Sequence, residues 1–311
     1  MIRRPPRSTQ SRSSAASDVY KRQTNIVRII TACWKALCSL PRSWHQRIAV
    51  VIGALVYLLA KDRRRIAAAN INACMPSLTS HKKVKLLKAN FFFLGLSILD
   101  TGVAWFWSNK KIKASISYRL DGLEHLNSLN NQGNLIFFKH SQHLELDARL
   151  LAMHAEVYGV ARSHNSSEMD SLQTNGRLSS IKDTANKNNP RKFMKWLKGG
   201  KNVLYAIDQD YGWTHSSKLR FFNQEAATIT TAAKILALTN CNLLFLNSYY
   251  DQHELVLEMS SIDPADLTPD ELSQKINNLM EAKITTHPAE YLWAHRRFKS
   301  TLGKAFYKTG R

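Results

Sequence analysis

The chain has 311 residues, 44 of them Lys or Arg against 23 Asp or Glu, for a formal charge of +21. That length buries one large core or two small ones, and the charge favours a polyanionic partner: nucleic acid, anionic lipid or an acidic protein. Cys33, Cys38, Cys74 and Cys241 lack zinc-type pairing and are expected to be reduced thiols of a cytosol-facing protein, which excludes a disulfide scaffold.

Residues 1–23, "MIRRPPRSTQSRSSAASDVYKRQ", are rich in Arg and Ser and lack the apolar centre of a signal peptide. They are expected to be a disordered basic tail or a non-native leader resembling translated sequencing-adapter read-through. Six basic residues and one acid lie there, so the remainder still carries +16. Residues 24–62 are expected to form a membrane-associated helical anchor. "IVRIITACWKALCSL" (26–40) is interrupted by Arg28 and Lys35, and "IAVVIGALVYLLA" (48–60) is uninterrupted. As a helix the latter is roughly 20 Å long, against a hydrocarbon core of about 30 Å. With Trp44, Arg47 and Lys61 snorkelling it makes a short tilted span; the alternatives are an interfacial helix or a core helix. If it spans, "KDRRR" (61–65) places everything downstream on the cytoplasmic side.

Residues 63–311 read as one domain. "RRRIAAANINACMPS" (63–77) is a basic helix ended by Pro76. A long helix opened by Ser80 runs over 80–107, cationic at first, then apolar and aromatic, and suits either a membrane-apposed wall or the core. From residue 116 strands and helices alternate. Strands are expected at 134–138, at "EVYGVAR" (156–162), at 202–207, at "CNLLFLNSYY" (241–250) and at "HELVLEM" (253–259). Helices are expected over 143–154, 167–178 and 225–238, and over 268–287 with Thr268 as N-cap and Glu271 completing a capping box. Such alternation predicts an α/β fold with a mostly parallel central sheet flanked by helices.

"NLIFFKHSQHLELDARLL" (134–151) packs His140, His143, Glu145 and Asp147 behind an apolar run. His140 falls at a strand's carboxyl end, where α/β sheets build their sites. Glu145 lies a turn into the next helix, so the His140 ring can fold back onto it. A carboxylate on one ring nitrogen fixes the tautomer and frees the other as a general base able to activate an alcohol. Zinc on His140, His143 and Glu145 or Asp147 is the rival, although helical zinc motifs space their histidines four apart. A plain helix start, with Asp147 and Arg149 on a solvated face, is the third reading. The residues alone leave all three open. No Gly-rich phosphate loop and no G-x-S-x-G elbow occurs.

The spacing His140-x4-Glu145 resembles the H-x4-D/E motif of glycerolipid-type acyltransferases, and five further blocks narrow the likeness. They are "RRRIAAANINACMPS", "DTGVAWFW" (100–107), "GVARSHNSSEMDSLQTNGRLSS" (159–180) with "YAIDQDYG" (205–212), and "YLWAHRRFKS" (291–300). Together they resemble the lipid A biosynthesis lauroyl/myristoyl acyltransferases over residues 26–303. The resemblance implies transfer of a fatty acyl chain from acyl carrier protein to a hydroxyl of a Kdo-lipid IVA-type precursor, at the bacterial inner membrane and on its cytoplasmic side. It implies His140 as general base, Glu145 as its orienter, Arg162 for the thioester oxyanion or a phosphate, and Asp208 as an active-site carboxylate. Arg177 and Asp210 become candidate substrate-binding residues. So do His295, Arg296, Arg297 and Lys299, a cationic cluster whose guanidinium forks suit phosphates and carboxylates. Neither cofactor nor metal is implied; the partners are acyl carrier protein, the lipid acceptor and membrane lipids. A thioester is already activated, so no enzyme nucleophile is required. Lys139 and Ser141 beside the histidine, and Ala161-Arg162-Ser163 in place of Tyr-Arg-Pro, depart from the family pattern. A glycerophosphate-type acyltransferase with another acceptor is the neighbouring alternative. A nucleic-acid binder is disfavoured because the aromatics sit in apolar runs and are not interleaved with Lys and Arg.

Overall fold

The computed structural model describes residues 27–127, 132–162, 166–264 and 266–309. The leader 1–23 and Ser163 lie outside the described residues.

The helical half comes first. Helix α1 covers 27–39; α2 is Arg42–Leu59, α3 Lys61–Cys74, α4 Ser80–Phe106 and α5 Asn109–Ser115. Thr79, one residue before Ser80, caps α4 by accepting the Lys82 N–H. The stretch expected as an anchor thus becomes α1 and α2, laid against α4. Helices α2 and α4 meet backbone to backbone: a Cβ on Gly95 would stand 2.3 Å from the Ala49 carbonyl oxygen. Only glycine permits that approach. The outward side stays apolar: Ile29, Ile30, Val50, Val51, Leu58 and Leu59 are each more than half exposed. Among the described residues, α4 alone is long and apolar enough to cross a membrane, yet 56% of its apolar window is buried in the protein. Helices α2 and α3 are bent 93° to one another.

The sheet half follows. Its strands are β1 (Tyr118–Asp121), β2 (Asn134–Phe138), β3 (Val157–Ala161), β4 (Thr184–Asn186), β5 (Asn202–Ala206), β8 (Asn242–Asp251) and β9 (Glu254–Ser261). They form one seven-stranded sheet in the order β1-β9-β8-β2-β5-β3-β4. Every pairing is parallel except the β8–β9 hairpin. Helices α6 (Leu144–Ala152), α7 (Ser167–Leu178), α8 (Pro190–Lys198), α9 (Thr231–Thr239), α10 (Pro269–Thr286) and α11 (Lys299–Thr309) cover it. Separate buried clusters occupy its two faces, one around Phe137, Val203 and Phe245, the other around Ile136, Leu204 and Leu244. Alternate side chains of the same strands feed opposite faces, as a sheet buried on both sides requires.

The mostly parallel α/β expectation holds, and Thr268 and Glu271 close the expected capping box on α10. The helix expected over 225–238 does not form as a unit. A two-stranded hairpin, β6 (Ser216–Phe221) with β7 (Gln224–Ile229), takes its first residues, and α9 begins only at Thr231. "QEAAT" favours helix by composition. Tertiary packing overrides it, burying Ala226, Ala227 and Thr228 beside Asn277, which donates to Thr228 Oγ1 and the Arg220 carbonyl. The short strands β1 and β4 were also not expected.

Candidate active site

Strands β2 and β5 pair in parallel with Phe138 opposite Ala206. Two residues beyond each, His140 and Asp208 emerge side by side at the carboxyl edge of the sheet. The imidazole Nδ1 engages Asp208 Oδ1, and the His140 backbone N–H donates to Asp208 Oδ2 at 2.9 Å. Asp208 is 1% exposed. Burial pushes its carboxyl up, but His140, through its charge and both contacts, and Arg297 pull it down to about 2. Asp208 is therefore a fixed anion that claims Nδ1, which leaves Nε2 free for proton transfer.

The carboxylate that orients His140 is thus Asp208, not Glu145. Glu145, on the first turn of α6, turns instead to Arg177 and Trp105. Arg177 Nη2 and Nε reach its Oε1 at 2.5 and 3.0 Å, and the Trp105 indole N–H reaches its Oε2 at 2.9 Å. Gly176 lets this happen, because a Cβ there would stand 2.3 Å from the Trp105 ring. His140 and Glu145 line one cavity of about 310 Å3 together with Trp105, Arg162, Arg177 and Lys187. Arg162 follows β3, the strand next to β5, and is exposed. The Lys187 ammonium lies 3.7 Å from the centroid of the Tyr211 ring. Burial, then the charge of Arg162, lower its pKa. Two cations held close on a cavity wall favour an anionic or oxyanionic guest.

Beneath His140 lies a buried network. His143 donates from both ring nitrogens, to Asp147 at 2.7 Å and to Glu290 at 2.8 Å. Burial lowers its pKa but the two acids outweigh it, raising it to about 9, so the ring is an imidazolium. Asp147 also accepts from Ser141 and Ser248, each at 2.7 Å. Lys139 is 2% exposed and donates to Asn247 Oδ1 and the Ser248 carbonyl. Arg149 donates to the carbonyls of Ser179 and Trp107. The solvated face expected of Asp147 and Arg149 is therefore an interior one. His140 and His143 face separate acids, and among the described residues no group of three or more His, Cys, Asp or Glu is placed to hold a metal ion.

The carboxyl-terminal segment braces this turn. The Leu292 N–H donates to the His140 carbonyl at 3.0 Å, and the Gln142 N–H to the Glu290 carbonyl at 2.7 Å. Asn90 holds the carbonyls of Ala289 and Tyr291, and Asn70 those of Trp293 and His295. The cationic cluster expected here divides. Arg297 is 2% exposed and donates inward to the Ala227 carbonyl and Thr228 Oγ1, so it cannot meet a headgroup. Burial, then the charge on His140, hold His295 down to about 4; as the neutral ring it accepts the Asp210 N–H. Asp210 is buried and takes both the N–H and the hydroxyl of Ser300 at 2.7 Å, securing the start of α11. Arg296 and Lys299 alone of the cluster are exposed.

Residues 15–300 match the family described as bacterial lipid A biosynthesis acyltransferase. The chain belongs to that family. It is 31% identical to the lipid A biosynthesis palmitoleoyltransferase of Escherichia coli K12, over 80% of this chain and 83% of that one. Against the lauroyltransferase of the same organism the figures are 30%, 84% and 87%. Against a lipid A biosynthesis acyltransferase of Haemophilus influenzae they are 30%, 86% and 88%. The protein is thus an acyltransferase of lipid A biosynthesis, and the separated sequence blocks of this acyltransferase meet at one turn. Sequence reasoning missed Trp105 and Lys187. Trp105 was legible in part, since "DTGVAWFW" had already been singled out as a block; nothing in the local sequence marks Lys187.

Proposed function

We propose that this acyltransferase moves a fatty acyl chain from the thioester of acyl carrier protein to a hydroxyl of a Kdo-lipid IVA-type lipid A precursor, with His140 as general base. The observation that carries this reading is His140 Nδ1 on a buried, ionised Asp208 beside a cavity flanked by Arg162 and Lys187. Nε2 takes the proton from the acceptor hydroxyl as its oxygen attacks the thioester carbonyl. The tetrahedral oxyanion is met by the cations of that wall. Its collapse breaks the carbon–sulfur bond, and the imidazolium returns the proton to the departing thiolate. Glu145 braces Arg177 and Trp105, which shapes the acceptor side of the cavity.

The exposed apolar faces of α1 and α2, edged by Arg28, Lys35 and Arg47, suit a seat in the interface of an anionic membrane. Acyl carrier protein is the acidic partner that the basic surface fits, and no metal or cofactor enters the scheme. The direct test is purified protein with acyl carrier protein thioesters and tetra-acylated precursor, read by mass spectrometry. A gain of one fatty acyl mass is expected; no gain with any donor overturns the reading.

A further inference from the structure

The catalytic cavity does not end at its own floor. Lys187, Tyr205, Tyr211 and Ile229 form a partition whose far side opens on a second chamber of about 510 Å3, between α8 and α9. Beyond that partition Phe193 and Met194 from α8 and Ile235 and Leu238 from α9 supply an apolar wall, shared with the polar Asn188, His215 and Lys234. Phe193 and Ile235 are buried, and the exposed Leu238 marks where the chamber meets the surface. On the other flank of the catalytic cavity, a smaller space of about 230 Å3 is polar, bounded by Arg162, Arg177 and Asn186. A substrate reacting at His140 thus has an exit with an apolar wall on one side and a polar one, lined by Arg162, Arg177 and Asp170, on the other. A guest combining an alkyl tail with a carbonyl head fits that asymmetry, and both larger volumes fall in the usual range of ligand sites.

We propose that the chamber between α8 and α9 is the subsite for the donor's fatty acyl chain, and that Met194 and Ile235 set the length it accepts. This rests on the reading of the His140 cavity as the place of acyl transfer. Each methylene withdrawn from water there strengthens binding about fourfold. A side chain that fills the chamber must therefore discriminate by length, whereas a polar pantetheine arm in the same space would be hindered equally whatever acyl group it carried.

The test measures kcat/KM for the full chain against acyl carrier protein loaded with octanoyl through palmitoyl groups. Met194→Trp should shift the optimum to shorter chains, losing about fourfold per excluded methylene on the longest donors and least on octanoyl. Ile235→Ala should shift it to longer chains. An unchanged length profile in both variants, an equal loss at every length, or a change confined to KM for the lipid acceptor overturns the proposal. If the parent protein turns over no carrier-protein donor, the donor reading fails separately. The chamber is then judged by cis-parinaric acid fluorescence: weaker binding to Met194→Trp than to the parent supports it, and equal binding overturns it.

Discussion

Asp208 and Glu145 are acids on the same cavity, yet their surroundings differ. Asp208 is buried against the imidazole, while Glu145 answers a guanidinium and an indole. His140→Ala should abolish transfer in a purified assay while the protein stays folded, a loss of roughly 10²–10⁴-fold or more, typical of removing a general base. Asp208→Asn should fall in the same range. Since the two act as one unit, the double variant should be little worse than either single one. Glu145→Gln has a different signature: the ring-nitrogen NMR resonances of His140 should move in Asp208→Asn and stay put in Glu145→Gln. Resonances that move only with Glu145 would return the orienting role to it.

The buried histidine gives a pH test. The His143 pKa is raised from 6.5 to about 9 in the folded chain. Its contribution is therefore full below about 6.5 and drains away as pH rises through about 9. Lys139 works in the other sense: burial, only partly offset by Asp147, Glu290 and Asp208, depresses it from 10.5 to about 8, so the penalty on its charge lifts only above that pH. Between about 6.5 and 8 the folded chain keeps the His143 proton that the unfolded chain loses, while the Lys139 penalty is constant, so melting temperature should fall across that window. In His143→Gln the fall should vanish, whatever the variant's absolute stability.

At the scale of elements, the sequence was most readable where one periodicity ruled. The apolar runs of β2, β5 and β8 could only be buried strands, and Thr268 with Glu271 announced α10. The hairpin of β6 and β7 was opaque, because its Gln-Glu-Ala-Ala run reads as helix until α10 covers it. The histidine's partner was opaque for a related reason. A local motif offered Glu145 five residues away, whereas the true neighbour is 68 positions distant and is set by the register that puts Phe138 opposite Ala206. The cationic terminus misled because charge in a sequence carries no direction: Arg297 points inward. The close crossing of α2 and α4 supports two further predictions. Gly95→Val should cost about 1–3 kcal/mol in denaturant unfolding, as overpacking does. Val51→Asp with Leu55→Asp should release the protein from anionic vesicles in a sedimentation assay, while its melting temperature holds.

Over the whole molecule, basic residues outnumber acidic ones almost two to one. A field of that sign speeds the arrival of an acidic carrier and weakens within a Debye length of about 10 Å at 0.1 M salt. Raising ionic strength should therefore depress kcat/KM for an acyl carrier protein donor far more than for a short pantetheine thioester, whose charge is small. Equal sensitivity of the two donors would argue against electrostatic docking.

The hydrogen bonds from Leu292 to His140 and between Gln142 and Glu290 have a bearing on biosynthesis. The turn bearing the base is completed by backbone that is made long after the histidine itself. A nascent or prematurely stopped polypeptide ending at Thr286 would possess His140, Asp208 and Arg162, and still lack the Leu292 N–H that holds the His140 carbonyl in position. Such a fragment is born unarmed, and a competent catalyst exists only once residues 290–292 have been made and have folded back onto that turn.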